Sequence, residues 1–307
     1  MLQSAKTKGY LALTATSIIW GTTWVVSKIG VHEIPALQMA YIRQFIAGII
    51  FISFFAFFKK LPLPTAKQFR WLFIMAIIMF VSANALSTWG IQFIPAGLGS
   101  LIGALYPLCV VILEKVFFKS KPLTAVTVIG LLLGISGIAI VSYENAFHVN
   151  GSNFLFGVFL SVTAMLSWSI GTIFMARNKV DINPYYGVGW QMMISSIILF
   201  TIMQTTQHVI PVFEISVKAW MVIGYLVVFG SLLTFIAFIY SMKVLPTAVA
   251  SLYAYINPFV AMVTAYIVLN EKLSLNILWG SLVTVAGVFL VNYSAKKANK
   301  IIAEAEI

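Results

Sequence analysis

Residues 123–143 read LTAVTVIGLLLGISGIAIVSY, 21 positions without a charge or a proline. At 1.5 Å per residue such a stretch, wound as a helix, matches the roughly 30 Å hydrocarbon core of a bilayer, and it is about twice the length of a membrane β-strand. A helix satisfies every backbone N–H and C=O within its own segment, which lipid demands. Residues 123–143 therefore read as a transmembrane helix, and Gly130, Gly134 and Gly137 give it a small-residue face that lets a neighbouring helix approach closely. The pattern returns 150 positions later, where Gly280, Gly287, Val291 and Tyr293 repeat Gly130, Gly137, Val141 and Tyr143.

Working outward, similar apolar runs lie near 9–30, 36–58, 69–90 and 96–118 before this stretch, and near 154–176, 185–206, 218–241, 247–269 and 275–293 after it. The whole chain is 61% hydrophobic and only 9% charged, where a water-facing surface needs about 25–35% charged residues, so an ordinary soluble enzyme is excluded. The reading is an all-α integral membrane protein of ten transmembrane helices. The first apolar run is too long for a cleaved signal peptide and reads as an uncleaved helix. A net charge of +11 would suggest nucleic acid in a soluble chain, but here it follows membrane topology. With both termini in the cytoplasm, fifteen Lys and Arg fall inside and three outside, leaving Arg43 within a span.

The repeat extends along the chain. Gly9 and Trp20 recur as Gly157 and Trp168, Pro35 and Trp71 as Pro184 and Trp220, and Pro95, Ser100, Leu101 and Pro107 as Pro246, Ser251, Leu252 and Pro258. Residues 1–146 and 147–295 thus read as two five-helix repeats, followed by a cytoplasmic tail at 296–307. Five is odd, so the second copy enters the membrane inverted. Inverted 5+5 repeats suit alternating access about a midplane site, although duplicated halves also occur in channels and membrane enzymes.

Chemistry inside the spans is sparse. Pro107 and Pro258 occupy matching mid-helix positions and are expected to free the carbonyls of Gly103 and Ala254, forming either cavity-lining or packing kinks. Tyr106, Tyr253, Tyr255 and Asn257 gather beside them. Asn84 and Trp89 interrupt the third span, and Gln191 the seventh, either lining a cavity or bonding helix to helix. Trp20 and Trp168 sit mid-helix, away from the interfaces that tryptophan favours, as cavity wall or core. Arg43 lies about two turns into its span and either faces a cavity or gate or snorkels outward; Lys28, at the end of the first span, is expected to snorkel. Glu114 reads as half of an interfacial pair, and Asn150-Gly151-Ser152 as a turn or a glycosylation triplet. One cysteine, Cys109, and three histidines supply neither a disulfide nor a metal cluster. HExxH, GxSxG and phosphate-loop motifs are absent from the sequence.

Five motifs in order, Trp20-Gly21-Thr22-Thr23 with Lys28, Arg43, the Pro107 and Pro258 helices, Asn270-Glu271-Lys272-Leu273, and the glycine-rich spans five and ten, resemble the ten-helix EamA-type members of the drug/metabolite transporter superfamily. The resemblance implies a central cavity between inverted repeats and export of small metabolites such as amino acids or related compounds. Trp20, Trp168, Arg43 and the faces flanking the two prolines are its implied site. Ser120 stands where the first repeat of the family often has a glutamate equivalent to Glu271. The chain is accordingly expected in the bacterial cytoplasmic membrane as a monomer or homodimer, with a small-molecule substrate, the lipid bilayer around it, no nucleic acid and no cofactor. A metabolite uptake carrier or a channel-like facilitator is the alternative.

Overall fold

The computed structural model describes residues 2–118, 124–148, 153–177, 180–206, 209–245, 249 and 252–305, which are helices and their connections. We number the helices α1 (Leu2–Gly30), α2 (Ala36–Phe58), α3 (Ala66–Gly90), α4 (Ala96–Phe117), α5 (Ala125–His148), α6 (Phe154–Arg177), α7 (Pro184–Thr206), α8 (Val217–Val244), α9 (Tyr253–Leu269) and α10 (Leu275–Ala305). Among the described residues, eight helical segments are long and apolar enough to cross a membrane, and α9 is a shorter apolar helix. The chain is a multi-pass helical membrane protein. Ser120 and the Asn150-Gly151-Ser152 triplet lie outside the described residues. Helix α10 runs on from its apolar part to Ala305, through most of the expected tail.

Local sequence sets the helix ends. Thr65 and Gln68 form a reciprocal capping box at the start of α3, Ser216 Oγ accepts from Ala219 N at 3.1 Å at the start of α8, and Asn183 Oδ1 accepts from Tyr185 N and Tyr186 N before α7. Pro35 and Pro95 take extended ψ and launch α2 and α4. Helix α9 stops at Asn270, which is left-handed at φ 52°, a conformation that asparagine tolerates better than most residues. Three stretches widen into π-helix: Phe54–Phe58 in α2, Ala76–Ala85 in α3 and Leu226–Leu233 in α8. The last two lie about 150 residues apart.

Packing is inside out relative to a water-soluble protein. The exterior is apolar, with Phe57, Leu155, Ile267 and Trp279 well exposed, whereas Thr16, Ser195, Ser196, Thr234, Ser281 and Thr284 are fully buried. Most of these hydroxyls donate to a carbonyl three to five residues back in the same helix, so they cost no unpaired group and permit close helix approach. Helices α5 and α10 pack along each other, as do α2 and α7; α1 lies against α8 and α9, and α3 against α6. Gly48 and Gly189 bring α2 and α7 to backbone contact.

The face of the bundle that carries the 31–35 and 91–95 turns is tied by polar clasps. Lys218 Nζ lies 2.8 Å from Glu33 Oε1, and this hydrogen-bonded lysine holds the Glu33 carboxyl below the usual carboxylate range. Gln38 exchanges two hydrogen bonds with the backbone of Ile210. On the opposite face Gln68 Nε2 donates to Asp181 O at 2.6 Å, and Glu114 pairs with Arg177 at 3.6 Å.

Candidate functional site

A cavity of about 180 Å³ opens between α1, α2, α3, α4, α6, α8 and α9. Its walls are helical stripes: Trp20, Thr23, Trp24 and Ser27 from α1, Asn84, Ser87 and Thr88 from α3 with Ile91 just past its end, and Ser161, Ala164, Met165 and Trp168 from α6. Each stripe follows the i, i+3, i+4, i+7 spacing of one helix face. Ser100, Gly103, Ala104 and Tyr106 of α4, Phe235 of α8, and Tyr253, Ala254 and Asn257 of α9 complete it, with Arg43 from α2.

Aromatic rings close one end. Trp20 meets Trp168 edge to face at 6.2 Å, Phe235 at 5.5 Å, Phe238 at 5.1 Å and Tyr253 at 5.3 Å, and Tyr253 stacks near Tyr106 at 6.2 Å. Such offset and edge contacts suit the quadrupoles of the rings, so this end is packed rather than merely lined. The Trp20 indole N–H donates to Gly230 O at 3.3 Å, inside the π-helical stretch of α8. Glycine leaves room there: a methyl group on Gly230 would stand 3.0 Å from Thr23 Cγ2 and 3.1 Å from an Arg43 terminal nitrogen, so one of those side chains would have to shift.

Arg43 is buried, and its Nε donates to Ser231 Oγ at 2.8 Å. Among the described residues no carboxylate pairs with it, and it is the charged side chain lining the cavity. Beside it, Gln44 Nε2 donates to Asn84 Oδ1 at 3.2 Å and Ser195 Oγ donates to Gln44 Oε1, which fixes Asn84 at the wall. Ser161 is the exception to the hydroxyl pattern: its Oγ is buried at the wall with no hydrogen-bond partner, whereas Ser17 and Ser169 donate to carbonyls four residues back.

The structure brings together Trp20, Arg43, Asn84, Tyr106, Trp168, Tyr253 and Asn257. Asn257 also reaches across to α1, its amide nitrogen donating to Ser17 O at 2.6 Å, so the cavity and helix-contact readings both hold for it. Trp89, Gln191 and Tyr255 lie outside the lining. Trp89 packs edge to face on Phe156, and Tyr255 donates to Val288 O while accepting from Asn292, so both bind helix to helix. Gln191 is buried within α7.

Two readings are corrected. Lys28 does not snorkel: its Nζ turns inward and donates to Ile91 O, Gln92 O and Ile94 O at 2.8–3.1 Å, because the turn after α3 offers carbonyls with no helical partner. Pro107 does not bend a continuous helix. The α4 pattern lapses at Leu105 and resumes at Tyr106, so Pro107 sits in a first turn, where a missing N–H costs nothing. Pro258 does lie inside α9.

Sequence reasoning passed over Thr23, Trp24, Ser27, Ser100 and Ser161. The signal was present as the helical period of small and hydroxylated residues around Trp20 and Trp168, but such residues equally mark tight packing in membranes. Glu271, read as a mere boundary, reaches from the end of α9 to α4: its carboxylate accepts from Ala96 N at 2.7 Å and Gly97 N at 3.3 Å, capping α4.

The uncharacterized transporter YoaV of Bacillus subtilis is 25% identical over 293 residues, 94% of this chain and 97% of its own. The uncharacterized inner membrane transporter YedA of Escherichia coli K12 is 28% identical, covering 86% of this chain and 83% of its own. A chloroplastic WAT1-related protein of Arabidopsis thaliana is 28% identical over 92% of this chain and 69% of its own. A solved crystal structure superposes on 95% of the chain with a TM-score of 0.64 at 15% identity, which speaks to the fold alone. The model of the EamA-like transporter family matches residues 7–143 and again residues 155–293, nearly the full length in two successive copies. With the helical bundle and its polar central cavity, this places the chain in the EamA-like transporter family.

Proposed function

We propose that the chain exports small metabolites by alternating access, its cavity lying between two inverted five-helix repeats, 1–146 and 147–295, in a ten-span bundle with both termini cytoplasmic. The observation that carries this reading is a set of reciprocal contacts. If two halves are related by a two-fold axis, a contact between residues A and B implies one between their repeat mates. A methyl group on Gly130 would meet Gly287 O at 2.7 Å, and one on its mate Gly280 would meet Gly137 O, the mate's partner, at 2.9 Å. Gly9 packs on Leu245 while Gly157 packs on Ile94, and Trp20 touches its own mate Trp168, as residues near the axis do. Ser169, the mate of Gly21, bonds to Tyr106 O, and Gly21 faces Asn257 O, the mate of Tyr106. Halves related in this way can rock about a shared site. The fifteen-to-three charge split supports the cytoplasmic termini, and a relative named as an inner membrane transporter supports the bacterial cytoplasmic membrane.

Two measurements test it. Cysteines placed at 59–70 should resist an impermeant reagent added to intact cells, and cysteines at 144–153 should react; the reverse pattern overturns the topology. Inside-out vesicles bearing the protein should accumulate a metabolite that right-side-out vesicles release. Accumulation only in right-side-out vesicles would make the chain an uptake carrier.

A further inference from the structure

The eight carboxylates of the chain are Glu33, Glu114, Glu144, Asp181, Glu214, Glu271, Glu304 and Glu306. Among the residues whose side chains are described, no carboxylate lines the cavity. Glu33 is held by Lys218, Glu114 by Arg177, and Glu271 by two backbone amides of α4. Asp181 and Glu214 stand in connections between helices, Glu144 in the last turns of α5 and Glu304 in the last turn of α10, and Glu306 lies outside the described residues. The buried guanidinium of Arg43 therefore faces the cavity with one of its five N–H donors engaged by the protein, the bond from Nε to Ser231. A buried charge is tolerated when an opposite charge completes it, and here the described residues supply none at the wall.

Ser161, also on the lining, is 4% exposed, and its Oγ lies against Gly90 of α3 with no hydrogen-bond partner among the described residues. The rest of the wall is uncharged: Trp20, Trp24, Trp168 and Phe235 stand against Gly103 and Ala104, with the neutral polar side chains of Asn84, Asn257 and several serines and threonines between them. Trp24 lies across Gly99 and Gly103, whose added methyl groups would stand 3.1 and 3.2 Å from its ring, so the small residues of α4 bed a flat indole beside the space.

We infer that this cavity binds a small organic monoanion, its carboxylate on Arg43 and an apolar or aromatic body against Trp20, Trp24 and Trp168, in preference to a zwitterion or a cation. A guanidinium fork and a carboxylate match in two parallel hydrogen bonds, which gives the anionic group both charge and geometry. A zwitterion keeps that bond but brings an ammonium into a wall without a carboxylate. A cation brings like charge beside Arg43, and the aromatic faces return less than that repulsion costs because Trp20 is already engaged by its ring neighbours. As a statement about cargo, this rests on the transport reading; as a statement about binding, it stands alone.

The test uses the wild-type chain in lipid nanodiscs and ligands that share one body. 3-Phenylpropionate, phenylalanine and 3-phenylpropylamine, with hexanoate as a second acid, are titrated by calorimetry. The acid carrying the ring should bind about tenfold or more tightly than phenylalanine, and the amine most weakly. Equal or tighter binding of phenylalanine or the amine overturns the inference, as does failure of both acids to bind. Arg43→Gln should erase the preference and Arg43→Lys should retain part of it; a preference that survives Arg43→Gln in a folded protein also overturns it. Counterflow in liposomes then separates the two claims. Binding of the acid without flux refutes transport and leaves the site standing, whereas flux of phenylalanine with none of the acid refutes the anion class and leaves transport standing.

Discussion

Arg43 shows how one residue is held at the cavity by very little. Its position two turns from the end of α2 fits a cavity and a snorkelling side chain equally well; the rotation of α2 against α8 decides between them by presenting Ser231 to Nε at 2.8 Å. Removing that oxygen leaves a buried charged donor unpaired. Ser231→Ala should therefore lower stability by about 1–3 kcal/mol, read by thermal unfolding in detergent. A loss under about 0.5 kcal/mol would mean that another acceptor takes the bond. Glycines give a paired contrast at the same scale. Nothing lies within 4 Å of a methyl group added at Gly224, in the exposed part of α8, so Gly224→Ala should be neutral or stabilise by up to about 1 kcal/mol. Gly230→Ala, which crowds Arg43 and Thr23, should instead weaken whatever binds at Arg43.

At the level of elements, the turn between α3 and α4 is gripped from both sides. Lys28 satisfies the free carbonyls at the end of α3, and Glu271 satisfies the free amides at the start of α4, each complementing the partial charge of that helix end. Glu271→Ala should cost about 1–2 kcal/mol by thermal unfolding, and Glu271→Gln about half as much because an amide oxygen still accepts. Since Lys28 and Glu271 hold one turn, the double substitution Lys28→Met with Glu271→Gln should depart from additivity by at least about 0.5 kcal/mol; strict additivity would show two independent caps. Only half of this device was legible. Asn270-Glu271-Lys272-Leu273 announces a helix end, and Asn270 supplies the left-handed residue that ends it. The partners of Glu271, however, lie 174 and 175 positions away, beyond any local pattern.

For the whole molecule, the longest seam is the glycine contact between α5 and α10. Gly130, Gly137, Gly280 and Gly287 each face backbone of the opposite helix, and even where the side chains of Val291, Thr284 or Val141 also meet the contact the backbone atoms cannot yield. Overpacking there must separate two helices, so Gly137→Val and its repeat mate Gly287→Val should each destabilise by about 1–3 kcal/mol or more and reduce the monodisperse fraction on size exclusion by similar amounts. A large loss at one and none at the other would count against the two-fold relation of the halves.

The sequence by itself determined the class of this protein and most of its helices. Backbone groups in lipid have one local solution, and a run such as 123–143 therefore declares its structure without reference to the rest of the chain. It also carried the matched spacing of glycines, prolines and tryptophans that goes with two successive matches to the family model. Tertiary structure decided which polar residues share a space. Asn84 and Trp89 are five positions apart on α3, yet Asn84 reaches the cavity and Trp89 packs on Phe156, because successive residues on a helix point about 100° apart and only its neighbours define which direction is inward. The same rotation turned Lys28 to the backbone, left Ser161 without a partner, and set one uncompensated positive charge, Arg43, against the cavity.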